Sequence, residues 1–363
     1  MDTPLLIVTL VLVVFGLIMM FSASYANAWY MFGDSYYYIK RQLIFAVIGL
    51  MAMLVISRIN YHVLHKLAWI FYVVSIVLLI VTLFMPPINN SRRWIIIPGV
   101  TTFQPSELAK FAIILLFSHI ASVKNEKMKE FKYGFLQPII LIGIIAAIML
   151  QQTHLSGTIL IILVGSVLMV IAGTKLRWFG IAGAIAVPLG VAFIFLSEKM
   201  EYAMSRINMW IDPFQDRTGD GHQIIQSLLA IGSGGIMGLG LGNSRQKHLY
   251  VPEPQNDFIF SIICEELGFV GALFIIILFL FFIFRGFAVA MKAPDKFGAL
   301  LAIGITCQIG IQTFMNIAVV SGTIPNTGIS LPFFSQGGTS LAMLLAEMGV
   351  LLSVSRFSSI KKL

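Results

Sequence analysis

Ten stretches of this chain stay apolar for long enough to cross the roughly 30 Å hydrocarbon core of a bilayer as helices. They run approximately over 4–22, 42–57, 67–86, 105–123, 135–151, 155–174, 178–197, 257–284, 297–322 and 331–355. Charge enters only the fourth (Glu107, Lys110), the eighth (Asp257, Glu265, Glu266) and the tenth (Glu347). The pattern predicts an all-α polytopic membrane protein of about ten transmembrane helices, forming one domain over 1–363. The first run lacks a basic leader and a small-residue cleavage site, so it reads as a retained helix. Connections are short except between the seventh and eighth runs. There, residues 199–256 read as one large loop, of a length that is normally functional.

Composition agrees: 58% of residues are hydrophobic and 11% charged, against about 25% charged in soluble domains. Charge then sets the expected orientation. With the N-terminus inside, fourteen of the 24 basic residues fall in short cytoplasmic segments: Arg58, Lys66, Lys124, Lys127, Lys129, Lys132, Lys175, Arg177, Arg285, Lys292, Lys296, Arg356, Lys361 and Lys362. The 199–256 loop holds five basic and five acidic residues. The positive-inside rule therefore places both termini in the cytoplasm and the large loop outside. The net charge of +8 is topological bias without a basic stripe for phosphate tracking, which argues against nucleic acid. Cys264 and Cys307 lie within apolar runs, and neither they nor the six scattered histidines show metal-ligand spacing.

Candidate chemistry begins at Asp257, where the long loop enters the eighth run. A carboxylate at a hydrocarbon boundary is costly unless paired or lining water, so it reads as functional; as a lone residue it equally suits a helix cap. Glu107 and Lys110, three apart, share a helix face and can pair, either as a brace that holds helix register or as the wall of a polar cavity. Arg92-Arg93-Trp94 lies just upstream on the outer side. Guanidinium forks bind phosphate bidentately, while lipid headgroup anchoring suits Arg92 as well. Between Gln226 and Gly242 the last eleven positions hold six glycines, without the Gly-Lys-Ser/Thr of a nucleotide loop. This segment reads as lying on the bilayer or bending into it. With Asp257 and the Ser335–Ser340 turn it converges on one leaflet, as a membrane-embedded substrate requires.

The motifs Arg92-Arg93-Trp94, Phe103-Gln104-Pro105-Ser106-Glu107-Leu108-x-Lys110, Gly240-Leu241-Gly242-Asn243-Ser244 and Pro252-Glu253-Pro254-Gln255-Asn256-Asp257-Phe258-Ile259-Phe260 resemble those of the SEDS (shape, elongation, division and sporulation) family, which includes FtsW, RodA and SpoVE. Glu265-Glu266-Leu267-Gly268, Pro325-Asn326-Thr327-Gly328 and Pro332-Phe333-Phe334-Ser335-x-Gly337-Gly338 continue the resemblance over nearly the whole chain, closest to the FtsW and SpoVE branch. Two departures stand out. Gln336 replaces the usual Tyr, and Gln152-Thr153-His154-Leu155-Ser156 replaces a Gln-Pro-Asp-Leu-Gly type, removing a carboxylate at His154.

The resemblance implies an inverting peptidoglycan glycosyltransferase in the bacterial cytoplasmic membrane. It would polymerise lipid II at the outer face, with undecaprenyl diphosphate leaving and Asp257 as general base. The expected substrate-binding residues are Arg93, Gln104, Glu107, Lys110, Arg206, Lys247, Gln255, Glu265, Ser335, Gly337 and Gly338; Arg245 is a further cation for the diphosphate. No cofactor is firmly implied, and a divalent cation, magnesium or manganese, carried on the diphosphate is the one candidate. Expected partners are a single-pass class B penicillin-binding protein and other membrane proteins of the division or elongation machinery. A lipid-precursor flippase or transporter, or a non-catalytic division scaffold, are the alternatives.

Overall fold

Residues at the ends of the apolar runs set where the helices begin and stop. The computed structural model describes all residues except 88–90, 98–100, 185–187, 189–207, 217–220, 249 and 361–363, and the side chains of 101, 359 and 360. In chain order it forms α1 (Thr3–Phe32), α2 (Tyr37–Arg58), α3 (His62–Leu83), a hairpin of β1 (Ile95–Ile97) and β2 (Thr101–Phe103), α4 (Pro105–Val123), α5 (Gln137–Gln151) and α6 (Leu155–Ala172). Then follow α7 (His222–Gly234), α8 (Ile259–Met291), α9 (Lys296–Val320) and α10 (Gly338–Ile360). Asp2 caps α1 by accepting from the Leu5 amide at 2.9 Å, and Asp295 caps α9 by accepting from the Gly298 amide at 2.9 Å. Both satisfy donors that a helix start leaves open.

Among the described residues nine helices are long and apolar enough to cross a membrane. The seventh expected run, 178–197, lies mostly outside the described residues. α4 and α9 form the centre: α4 packs on α3, α6 and α9, and α9 on α4, α6 and α8. The outer helices show the inverted amphipathicity of a membrane protein. On α2, Ile44, Ile48, Met51 and Val55 form an exposed apolar stripe, while Ala46, Gly49 and Met53 are buried. A Cβ on Gly49 would come 2.9 Å from the Ala342 Cα, so this small residue lets α2 and α10 approach closely.

Several boundaries differ from the sequence reading: α1 runs on to Phe32 instead of ending near 22, and α2 and α3 begin at Tyr37 and His62 instead of 42 and 67. The tenth run was expected to be helical from 331, yet α10 begins at Gly338. Residues 331–337 instead form turns, with Phe333 in left-handed backbone at φ +66°. The eighth run continues to Met291, through Arg285, whose charge is paired with Asp2. The 199–256 segment is not loop throughout: it contains α7, which packs on α8.

The glycine-rich stretch after α7 has a structural task. α8 breaks at Gly268 (φ +67°), which frees backbone groups on either side. The stretch supplies partners for them: the amides of Leu239 and Gly240 donate to the carbonyls of Glu265 and Glu266, both at 2.9 Å. In return the amides of Phe269 and Val270 donate to the carbonyls of Gly235 and Ile236 at 2.9 and 3.2 Å. Inside a bilayer such groups must be satisfied by protein. Only glycine permits the approach, because a Cβ on Gly238 would lie 2.2 Å from the Glu266 carbonyl oxygen and one on Gly268 2.3 Å from the Gly238 nitrogen.

Candidate active site

Asp257 sits one residue ahead of the Phe258 cap of α8, half-buried in the wall of a cavity of about 210 Å³. The cavity lies where the hairpin, the starts of α4 and α6, the turn before α8 and the 328–337 segment meet. No side-chain cap hydrogen bond forms at the start of α8, so Asp257 is not spent as a helix cap. Its backbone is clamped instead. The Asn316 amide on α9 donates to the Asp257 carbonyl at 2.7 Å and to the Ile329 carbonyl at 2.6 Å. Ser335 Oγ donates to the Asn256 carbonyl at 2.7 Å while accepting from the Leu331 amide at 2.7 Å. A Cβ on Gly328 (φ +68°) would stand 3.2 Å from Asp257 Oδ2, so a glycine there leaves room beside the carboxylate. Burial pushes the Asp257 carboxyl up to about 6, and the nearby Arg93 guanidinium pulls the other way. The result is a carboxylate that is ionised at neutral pH yet basic enough to take a proton.

Cations line the same cavity. Lys110 Nζ pairs with Glu107 at 2.8 Å and donates to Gln312 Oε1 at 3.3 Å, and Gln312 in turn donates to the Ser330 carbonyl at 3.0 Å. Arg93 donates to the Thr153 carbonyl at 2.5 Å. Deeper, Gln308 donates to Glu347 Oε2 at 2.9 Å, and that carboxylate is almost fully enclosed. An anionic headgroup that carries a nucleophilic hydroxyl fits this combination of base and cations. Among the described residues no three His, Cys, Asp or Glu side chains gather, and the Glu107 carboxylate is taken by Lys110.

The cell cycle protein family model that covers FtsW, RodA and SpoVE matches residues 3–360. The chain belongs to this family. It is 42% identical over 364 residues to stage V sporulation protein E of Bacillus subtilis (strain 168), covering 98% of this chain and 97% of that one. It is 39% identical over 358 residues to the probable peptidoglycan glycosyltransferase FtsW of Geobacter sp. (strain M18), covering 98% and 96%. Among solved structures it resembles a chain of a peptidoglycan synthase complex that coordinates polymerization and crosslinking, with TM-score 0.80, 29% identity and 98% coverage of both chains. It also resembles the rod shape determining protein RodA of Thermus thermophilus, with TM-score 0.69, 25% identity and coverage of 98% and 96%.

Within this SEDS chain, the sequence-derived residues divide into two groups. Arg93, Gln104, Glu107, Lys110, Asp257, Ser335 and Gly337 all line the cavity. Gly337 also has its amide bound to Gln42 Oε1 at 3.2 Å. Lys247, Gln255, Glu265 and Gly338 are elsewhere. Lys247 is fully buried against Glu266 at 2.6 Å, which leaves it no charge to offer a diphosphate. Glu265 accepts from Ser244 Oγ and from the Arg245 amide, so it anchors the loop after the glycine stretch. Gln255 points toward α1, where Asn27 donates to it at 3.4 Å. Gly338 accommodates the Phe45 ring, into which a Cβ would run at 2.3 Å. Arg245 is exposed, and Arg206 lies outside the described residues.

Gln308, Gln312 and Asn316 belong to none of the sequence motifs. They recur every four residues along the largely apolar α9, and that polar stripe is legible in the sequence. His154, which stands where the family usually has a carboxylate, lines the cavity too.

Proposed function

We infer that this chain is a peptidoglycan glycosyltransferase that polymerises lipid II. The 4-hydroxyl of an acceptor sugar attacks the anomeric carbon of a donor, a new C–O bond forms with inversion, and the bond to undecaprenyl diphosphate breaks. The hydroxyl proton passes to Asp257, and the diphosphate leaves with the negative charge. The observation that carries this reading is the cavity itself. One carboxylate, raised to about 6 by burial, shares it with Arg93 and Lys110 at the starts of apolar helices. Arg93 and Lys110 supply charge to the leaving group. Gln104, Ser335 and the Gly337 backbone offer neutral hydrogen bonds to the sugars. A divalent cation, where one takes part, arrives on the diphosphate, and no step here depends on it.

The test is purified protein with lipid II, with and without a class B penicillin-binding protein as partner. Glycan strands from the purified protein alone support polymerase activity; lipid movement across vesicles without strands would favour a flippase, and neither would favour a scaffold. The partner assignment rests on the likeness to the synthase complex. Both termini are read as cytoplasmic on the charge bias. A cysteine at Tyr250, which is exposed, should label with impermeant reagents from outside intact cells, and one at Glu126 should not; reversed labelling overturns the orientation.

The Glu107–Lys110 pair separates a working cavity from a brace. Its two members are 18% and 6% exposed and open on the cavity. If they only hold helix register, combining Glu107→Gln with Lys110→Met should restore the activity that either change alone removes, because no uncompensated charge remains. We expect the double variant to fold, bind the partner and remain inactive. Strand synthesis by the double variant at near wild-type rates would reduce the pair to a brace.

A further inference from the structure

His154 stands in the tight turn between α5 and α6, and its setting is more constrained than a packing residue needs. The preceding Thr153 is held in left-handed backbone at φ +58°, an uncommon and costly conformation for a β-branched residue. Arg93 fastens that turn from outside through the Thr153 carbonyl at 2.5 Å, and the His154 amide closes it on the Met149 carbonyl at 3.0 Å. Strain is therefore maintained at the residue that aims the ring. The imidazole lies over Gly157, where a Cβ would come 2.6 Å from Cε1 and 2.8 Å from Nε2. The side chain is only 7% exposed and lines the cavity beside Asp257. Its Nδ1 is buried without a hydrogen-bond partner among the described residues. A buried polar atom left open costs about 1–3 kcal/mol. A core position would be filled more cheaply by Leu or Phe.

We propose that His154 is a substrate-contacting residue whose ring nitrogen hydrogen-bonds a hydroxyl or acetamido group of the N-acetylated sugar bound beside Asp257. Burial, with the charges of Arg93 and Lys110, pushes the His154 pKa down to about 3, so the ring is neutral at physiological pH. A neutral imidazole offers one donor and one acceptor, the complement of a sugar hydroxyl or an amide. It adds no negative charge beside Arg93, whose guanidinium faces an anionic headgroup. His154 thus reads the sugar and leaves the diphosphate to the cations.

The inference rests on the glycosyltransferase reading, and the test keeps the two apart. Strand synthesis from lipid II is measured for wild type, H154F and H154N, with apparent KM, kcat and the thermal midpoint in detergent for each. H154F keeps a flat ring and removes hydrogen bonding; H154N restores a polar group near Nδ1. The expected result is a three- to tenfold rise in KM for H154F, the loss of about one hydrogen bond to a neutral group. Its thermal midpoint should be unchanged or higher, and H154N should recover most of the KM. Wild-type KM in H154F, with the wild type active, overturns the role of His154 and leaves the enzyme reading intact. An inactive wild type instead overturns the reading on which the proposal stands. If H154F does not insert, G157A decides, because its added methyl displaces the ring: a raised KM supports the contact and a wild-type KM overturns it.

Discussion

Asp257→Asn lowers strand synthesis by at least ~10²-fold while expression, membrane insertion and partner binding persist. The variant keeps the shape and hydrogen-bonding capacity of the side chain and loses only the proton acceptor. The backbone clamp from Asn316 and Ser335 does not involve the carboxylate, so it survives the change. The pH dependence follows from burial. With the carboxyl raised from 3.8 to about 6, the wild-type rate is level above about 6 and falls roughly tenfold per unit below it. The stability sign runs opposite to that of a salt-bridged acid. Because the folded value is the higher one, ionisation costs the folded state nothing below 3.8 and its full penalty above about 6. Asp257→Asn should therefore gain thermal stability at neutral pH as it loses activity. A purified Asn variant that polymerises lipid II near the wild-type rate removes Asp257 from the role of base.

Glu266→Gln destabilises the protein by about 3–5 kcal/mol, the cost of leaving a buried ammonium without its counter-charge. Both Lys247 and Glu266 are 0% exposed, and their contact is 2.6 Å. The consequences of the two single changes differ. After Lys247→Met, the Glu266 carboxylate keeps Ser22 Oγ at 2.7–2.8 Å and the Ser244 amide at 3.4 Å. After Glu266→Gln, Lys247 keeps Ser22 Oγ at 3.3 Å and the face of Tyr25 at 4.7 Å. Lys247→Met should thus be the milder variant, and the double variant more stable than Glu266→Gln. Thermal melting in detergent reads all three. Single variants as stable as wild type would show that the pair does not hold the loop against α1 and α8. The pair ties down the segment that leads to Asp257, so the destabilised variants should lose activity as well.

Much of the site was legible because cost marks function in a membrane. Charges in apolar helices are rare, so Glu107, Lys110 and Asp257 stood out, and all three line the cavity. Rarity alone does not distinguish catalysis from anchoring. Glu265 carries the same signal and serves the loop instead, because Ser244 reaches it first, and the loop residue Lys247 is claimed in the same way by Glu266. His154 failed in the other direction. A neutral ring has no anomalous charge to notice, and its buried, open nitrogen exists only once Arg93, Thr153 and Gly157 surround it.

Local order along the chain is enough to establish that it spans a membrane repeatedly, where most helices start, and which motifs place it in its family. Those properties depend on local hydropathy, capping and short-range order, which neighbouring residues control. Three-dimensional packing settles which polar residues share a cavity, that the glycine stretch repairs a broken helix, and that α10 begins at Gly338. Each of these turns on backbone and side-chain groups far apart in the chain finding one another where water cannot satisfy them.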